Sequence, residues 1–288
     1  MTKSITYSQN FLKNKSLVTQ LIENSSISNN DTIYEIGVGE GIITEELLKI
    51  SKQVIAFEID PTLFTKLEKK FQNITNLELI KGNFLDYNLP ATPYKVFSNI
   101  PFNITSQIIR KLTETTTPPE QAYLIVQKES AEKFAGKPYA LINTQINILL
   151  KPWFNFEIIH EFKKDDFFPK PQVDSILLKI KKLRIPLIKN ENKNLYEDFV
   201  VYAFNQPKPN VVQGLSKIFT NKQNISTIAG NLKPSQLDFE IWLKLFDYFL
   251  TESSNKKLVK GSFQNIKNQQ NKLKKINRTR VDKNWRKF

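Results

Sequence analysis

Two rhythms of apolar and polar positions share the first 185 residues. Short apolar runs rich in β-branched and aromatic side chains, Thr32–Ile36, Gln53–Glu58, Leu77–Ile80, Lys95–Ser98, Ala122–Gln127 and Ile176–Ile180, read as strands. Ser16–Ile22, Glu45–Ile50 and Pro61–Phe71 space their apolar residues three and four apart and read as helices. Ser16 stands where the first helix needs a cap, and Pro61 opens the third where its missing N–H costs nothing. Strands alternating with helices predict βαβ units and a parallel sheet, an α/β domain over residues 1–185.

Near residue 185 the rhythm changes. After the polar stretch Asn190–Asn194, four helical segments follow at Tyr196–Phe204, Val211–Phe219, Ile225–Leu232 and Gln236–Leu250. Phe239, Trp242, Leu243, Phe246 and Phe249 form the stripe of a core-facing helix, so the aromatics there are packing. This predicts a small helical domain over residues 186–254. Residues 255–288 carry little apolar surface and much charge, the composition of a disordered basic tail.

Charge sharpens that division. The 288 residues hold 42 Lys+Arg and 28 Asp+Glu, a net charge of +14. Residues 255–288 hold 12 Lys/Arg and one acid, a net +11, which leaves +3 for the rest. A charge this basic points to nucleic acid or an anionic membrane surface, and a basic arm of this kind favours RNA. Without cysteine, a disulfide framework, zinc ribbon, thiolate nucleophile or Cys-ligated cluster is excluded. His160 is the only histidine, and its setting, Ile158-Ile159-His160-Glu161-Phe162, reads as a strand edge. No metal site is expected. The stretch Met1–Thr6 has no long apolar run behind Lys3 and no segment approaches a membrane span, so a soluble, cytoplasmic protein is expected. The Asn-x-Thr tripeptides at Asn73 and Asn103 are then by-products of an Asn-rich chain.

Glu35-Ile36-Gly37-Val38-Gly39-Glu40-Gly41 lies on the first strand-to-helix turn. Glycine there permits a tight turn and close approach of a ligand to backbone. A dinucleotide fingerprint would need G-x-G-x-x-G; Gly37, Gly39 and Gly41 instead give G-x-G-x-G. Glu58 ends the next strand, 19 residues after Gly39, where a carboxylate can accept from both hydroxyls of a ribose. The pair indicates a nucleoside-bearing ligand, and the spacing favours S-adenosylmethionine over NAD.

Ser98-Asn99-Ile100-Pro101-Phe102 follows the fourth strand. An exocyclic adenine amino group is a poor nucleophile because its lone pair is delocalised into the ring. The Asn99 side-chain oxygen and the Ile100 carbonyl could accept its two hydrogens and favour a tetrahedral nitrogen. Phe102 could stack on the base, worth about 1–3 kcal/mol. Phe167-Phe168-Pro169-Lys170-Pro171 would stiffen a loop beside the pocket, with Phe167 over the other face of a flipped base.

On these motifs the chain resembles the adenine-N6 rRNA dimethyltransferase superfamily, and more narrowly its Erm branch, from Ser8-Gln9-Asn10-Phe11 to about Leu250. The resemblance implies a Rossmann-like class I methyltransferase sheet binding S-adenosylmethionine. It places Gln9, Asn10, Gly37, Gly39, Gly41, Glu58, Ile59, Asn83, Phe84 and Asn99 at the cofactor. Asn99, Ile100, Pro101, Phe102 and Phe167 are placed at the reacting base. Asn83 stands where the family usually has Asp, with Asp86 three residues on, and prolines break the family's basic run at Asn205–Asn210. Asn-Ile-Pro-Phe followed by Asn-Ile-Thr-Ser resembles the Erm pattern, which implies a monomer acting on protein-free or precursor 23S rRNA and conferring macrolide, lincosamide and streptogramin B resistance. The alternatives are a KsgA-type small-subunit rRNA dimethyltransferase and a catalytically silent RNA- or DNA-binding relative.

Overall fold

The apolar runs of the N-terminal part assemble into one seven-stranded sheet. The computed structural model of the chain describes residues 10–136, 143–219, 221–252 and 255–279. They divide into two units, Met1–Ala135 with Trp153–Ile185 and Gly136–Pro152 with Pro186–Phe288.

In the first unit the sheet strands are β2 (Thr32–Ile36), β3 (Gln53–Glu58), β4 (Leu77–Lys81), β5 (Lys95–Asn99), β6 (Gln121–Gln127), β7 (Phe154–Glu161) and β9 (Ser175–Lys182). A two-residue strand β1 (Phe11–Leu12) pairs separately with β8 (Phe167–Phe168). The helices are α1 (Lys15–Glu23), α2 (Ile42–Ile50), α3 (Pro61–Lys70), α4 (Thr105–Thr113) and α5 (Lys128–Ala135). Asn14, not Ser16, caps α1, its side chain accepting from Leu17 N at 3.2 Å.

Strand order is β4-β3-β2-β5-β6-β9-β7. The first five strands are parallel, and β9 runs antiparallel to both β6 and β7. The sheet is therefore mixed rather than wholly parallel. Between β7 and β9 the chain carries β8 and two prolines in place of a crossover helix, so β9 returns antiparallel. Helical cover explains the nearly continuous apolar runs of the inner strands, in which Ile33, Val54, Val96, Leu124 and Leu178 are fully buried. His160 lies on the edge strand β7, its ring edge-on to Phe162.

Following the parallel strands outward from β2, one arm runs through β3 to β4 and the other through β5 to β6. The order reverses between β2 and β5, and a crevice opens there beyond the strand carboxyl ends. The β2–β5 pairing runs through Ile33↔Lys95 and Tyr34↔Val96. Beyond it the buried Ser98 hydroxyl donates to Ile36 O at 2.6 Å and accepts from Ile36 N at 3.1 Å. A side chain thus replaces a ladder step and lets the two strand ends part without stranding a buried backbone group.

The second unit is helical: α6 (Gln145–Leu150), α7 (Lys193–Phe204), α8 (Val211–Leu215), α9 (Lys222–Ala229), α10 (Phe239–Glu252) and α11 (Ser262–Thr279). Trp242, Phe246 and Phe249 of α10 pack around Phe199 of α7, ring centroids 4.8–6.3 Å apart. Two features differ from expectation. Segment 136–152 joins this unit rather than the α/β domain, because Tyr196 Oη donates to Ile148 O and Asn143 Nδ2 to Leu237 O. The basic tail is helical over Ser262–Thr279, because it packs on α7 instead of standing alone in water.

Candidate functional site

A cleft occupies the crevice. It is lined by residues 10–12, the glycine turn with the start of α2, Glu58, and Asn99 to Phe102. Asn10, Gly37, Gly39, Glu58, Asn99, Ile100, Pro101 and Phe102 all line it, although they come from four separate stretches of sequence.

The glycine turn is built for close packing. Gly37, Gly39 and Gly41 all have positive φ. A Cβ on Gly39 would sit 2.8 Å from the Phe11 ring, so the position excludes a side chain on space as well as on φ (+61°). The Gly39 N–H donates to Glu58 Oε2 at 2.9 Å, and the Asp60 N–H to Glu58 Oε1 at 2.8 Å. Glu58 is 1% exposed and so ties the turn to the end of β3. Each of its oxygens keeps acceptor capacity, the acceptor pair that the two donating hydroxyls of a ribose require. Glycine cradle and doubly anchored carboxylate both fit an adenosyl group.

Glu35 is the site residue that motif spacing alone passes over. It is buried on β2 behind the turn, and the Thr44 hydroxyl of α2 donates to its Oε2 at 2.6 Å. Burial pushes its carboxyl up to about 8, against the hydrogen bond from Thr44, and the nearby Glu58 charge adds to the rise. At neutral pH it is mostly a neutral acid. An acid inside an otherwise apolar strand, two residues before Gly37, was the available signal.

Asn99 ends β5 at the other wall. Its Nδ2 donates to Asn10 O at 2.8 Å, a bond across 89 residues. That bond settles the amide orientation: nitrogen toward the N-terminal segment, Oδ1 left as the acceptor. The Ile100 N–H donates to Ile125 O at 3.3 Å, fixing the next peptide on the sheet. Pro101 at φ −58° then leads into a short turn over Phe102–Ile104, which sets Phe102 at the cleft.

Phe167 does not take its expected place. It is fully buried against Phe162, ring centroids 5.4 Å apart, and lies within the core that includes Leu12. The β1–β8 ladder pairs Leu12 with Phe167 and Phe11 with Phe168. Strand alternation therefore puts Phe167 on the core face and Phe168 on the face of Phe11, which lines the cleft. Phe168 is 70% exposed.

Asn83 and Phe84 lie outside the cleft lining. Asn83 caps the turn Phe84–Asp86, accepting from Leu85 N at 3.1 Å and donating to Asp86 Oδ2 at 3.2 Å. Phe84 is buried edge-on to Phe57. Ile59, beside Glu58, is half exposed. Gln9 lies outside the described residues. Gly41 caps α2 and contributes no lining surface; its Cβ would press on Phe71 at 3.0 Å. Among the described residues, no group of three or more His, Cys, Asp or Glu could hold a metal ion, and no helix is long and apolar enough to cross a membrane.

Comparison with known proteins meets this geometry from outside. A family model described as ribosomal RNA adenine dimethylase matches residues 1–251. The ribosomal RNA small subunit methyltransferase A of Fusobacterium nucleatum subsp. nucleatum is 34% identical over 238 residues, covering 80% of this chain and 89% of that protein. The rRNA adenine N-6-methyltransferase of Bacteroides fragilis is 31% identical over 250 residues, covering 83% and 90%. The solved structure of 23S rRNA methyltransferase ErmE superposes with a TM-score of 0.77 at 26% identity, over 84% of this chain and all of that one.

Proposed function

Because the chain belongs to the ribosomal RNA adenine dimethylase family, we propose that its target is one adenosine of 23S rRNA, methylated at N6 so as to confer macrolide, lincosamide and streptogramin B resistance. The broader activity follows from the family: it is an S-adenosylmethionine-dependent rRNA adenine-N6 methyltransferase with a Rossmann-like catalytic sheet. The observation that carries the chemistry is the Asn99 amide, held by Asn10 O so that Oδ1 is the acceptor.

The cofactor, when bound, supplies an electrophilic methyl group. Everything else is done by the chain. Gly37 and Gly39 hold the methionine side of the cofactor and Glu58 its ribose, all three lining the cleft. Oδ1 of Asn99 and the Ile100 carbonyl accept from the N6 hydrogens of an adenosine turned out of its helix, drawing the N6 lone pair out of conjugation. Transfer of the methyl group to N6 breaks its bond to the sulfonium sulfur, leaving S-adenosylhomocysteine, with the N6 proton passing to solvent, so positioning replaces a strong base. Phe102 stacks on one face of the base and Phe168, in place of the buried Phe167, closes on the other. The helical unit grips RNA as a monomer, in the cytoplasm, on protein-free or precursor 23S rRNA.

Support for the large subunit comes from Asn-Ile-Pro-Phe followed by Asn-Ile-Thr-Ser, and from the superposition on the whole of a 23S rRNA methyltransferase. One observation favours a second reading, small-subunit dimethylation: the Fusobacterium relative named for that subunit is 34% identical. Labelled S-adenosylmethionine offered with protein-free 23S rRNA or with small subunits separates them. Label in 23S rRNA is expected; label only in small subunits would replace the first reading by the second.

A further inference from the structure

The family match covers residues 1–251, and α11 lies beyond it. Residues 255–279 contain eight Lys/Arg and no acid. An isolated helix of this composition is marginal in water, yet here its N-terminus is clamped. The Asp198 side chain of α7 accepts from Gly261 N at 2.8 Å and from Phe263 N at 2.9 Å, one backbone donor on each oxygen. A carboxylate against the first N–H groups also complements the helix dipole, and the basic residues toward the far end complement its other pole. Val259 is fully buried, and Phe263 and Ile266 are partly buried at helical spacing on the side that packs on α7. Lys267 Nζ lies over the Phe263 ring at 4.4 Å. Gln264, Asn265, Asn268, Gln269, Gln270 and Lys272 are exposed.

We infer that α11 is a fixed basic strut that binds the phosphate backbone of the substrate RNA, held in place by Asp198. The inference rests on the rRNA substrate proposed above. An anionic membrane is the wrong partner for this surface: an interfacial helix needs an exposed apolar face, and among the described side chains Phe263 and Ile266 are partly buried while the amides and Lys272 are exposed. Amide and Lys side chains match phosphate and sugar oxygens. The strut also stands in for the basic run that prolines interrupt at Asn205–Asn210.

The test uses the full chain carrying K272Q, K274Q, K275Q and R278Q. Equilibrium binding to a protein-free 23S rRNA fragment is measured between about 50 and 200 mM salt, with S-adenosylhomocysteine binding as a control for folding. Four phosphate contacts at about 0.7–0.9 each predict a log–log salt slope shallower by about three and roughly tenfold or greater loss of affinity, with the small ligand bound as before. Unchanged slope and affinity, in a protein whose wild type methylates rRNA, overturns the strut; so does loss confined to anionic-vesicle binding. Absence of methylation by the wild type would instead remove the rRNA reading itself. A second variant, Asp198→Ala, keeps every basic residue. It should bind RNA severalfold more weakly at nearly the same slope and speed amide exchange at Gly261 and Phe263, whereas unchanged affinity and exchange would remove the clamp.

Discussion

At the residue scale, two carboxylates and an amide divide the work of the cleft by their surroundings. Glu58 has both oxygens on backbone N–H groups and serves as the fixed acceptor, while Glu35 is sealed behind the glycine turn and held largely neutral. The sign of the resulting pH dependence follows directly. Unfolded Glu35 ionises near 4.5, and folded Glu35 near 8. The unfolded chain therefore releases this proton first, and stability that is full below pH 4.5 is lost as pH rises toward 8. The slope is at most about 1.4 kcal/mol per pH unit. Glu35→Gln should still accept from Thr44 and should flatten that decline, becoming more stable than the wild type at pH 8; urea unfolding at pH 5 and pH 8 measures it, and parallel profiles would contradict it. Asn99→Ala should lower methyl transfer by about a thousandfold or more while S-adenosylhomocysteine binds within a fewfold, because the proposed mechanism uses Oδ1 on the base rather than on the cofactor. A matched loss of ligand binding would move Asn99 to the cofactor side. Asn99 and Glu58 were legible in sequence, since each ends an apolar run at a strand's carboxyl end. The bond from Asn99 to Asn10 O was not, because it joins residues 89 apart that only the folded crevice brings together.

At the element scale, parity and close packing decide which side chains reach the ligand. Gly39→Ala would force a side chain to positive φ, at about 1–2 kcal/mol, and drive its Cβ into Phe11. Calorimetry should show S-adenosylhomocysteine affinity down at least about tenfold; an unchanged affinity would mean that the turn does not hold the cofactor. The β8 pair separates two kinds of aromatic. Phe167→Ala should cost about 3–5 kcal/mol of stability. Phe168→Ala should leave stability within about 0.5 kcal/mol and instead raise the KM for RNA, and the reverse pattern would return Phe167 to the site. The motif Phe167-Phe168-Pro169 made a proposed aromatic contact with the base legible, but not which ring would make it. That choice depends on the register Phe11↔Phe168, fixed by a partner strand more than 150 residues away. The same holds for Ser98: its sequence neighbourhood reads as an ordinary strand, and its bridge to Ile36 exists only because β2 and β5 part at the crevice.

At the scale of the whole molecule, a cleft for one nucleoside cofactor and one base stands on the sheet of the first unit, and the surplus charge is concentrated in the second. The alternation of strands and helices was readable from periodicity because burial on both faces imposes it. The assignment of 136–152 to the helical unit was not, since it rests on bonds such as Tyr196 to Ile148 O, for which local sequence holds no signal. Nor was the order of residues 262–279, whose helix is held by a carboxylate from α7 rather than by its own composition. The central claim is that the crevice between β2 and β5 methylates adenine N6 in 23S rRNA through the oriented Asn99 amide. Incubating wild type and Asn99→Ala with S-adenosylmethionine and protein-free 23S rRNA, then analysing the nucleosides by mass spectrometry, tests it most directly. The account predicts N6-methylated adenosine at one site with the wild type and none with Asn99→Ala; unmodified adenosine with the wild type, or equal methylation by both proteins, would contradict it.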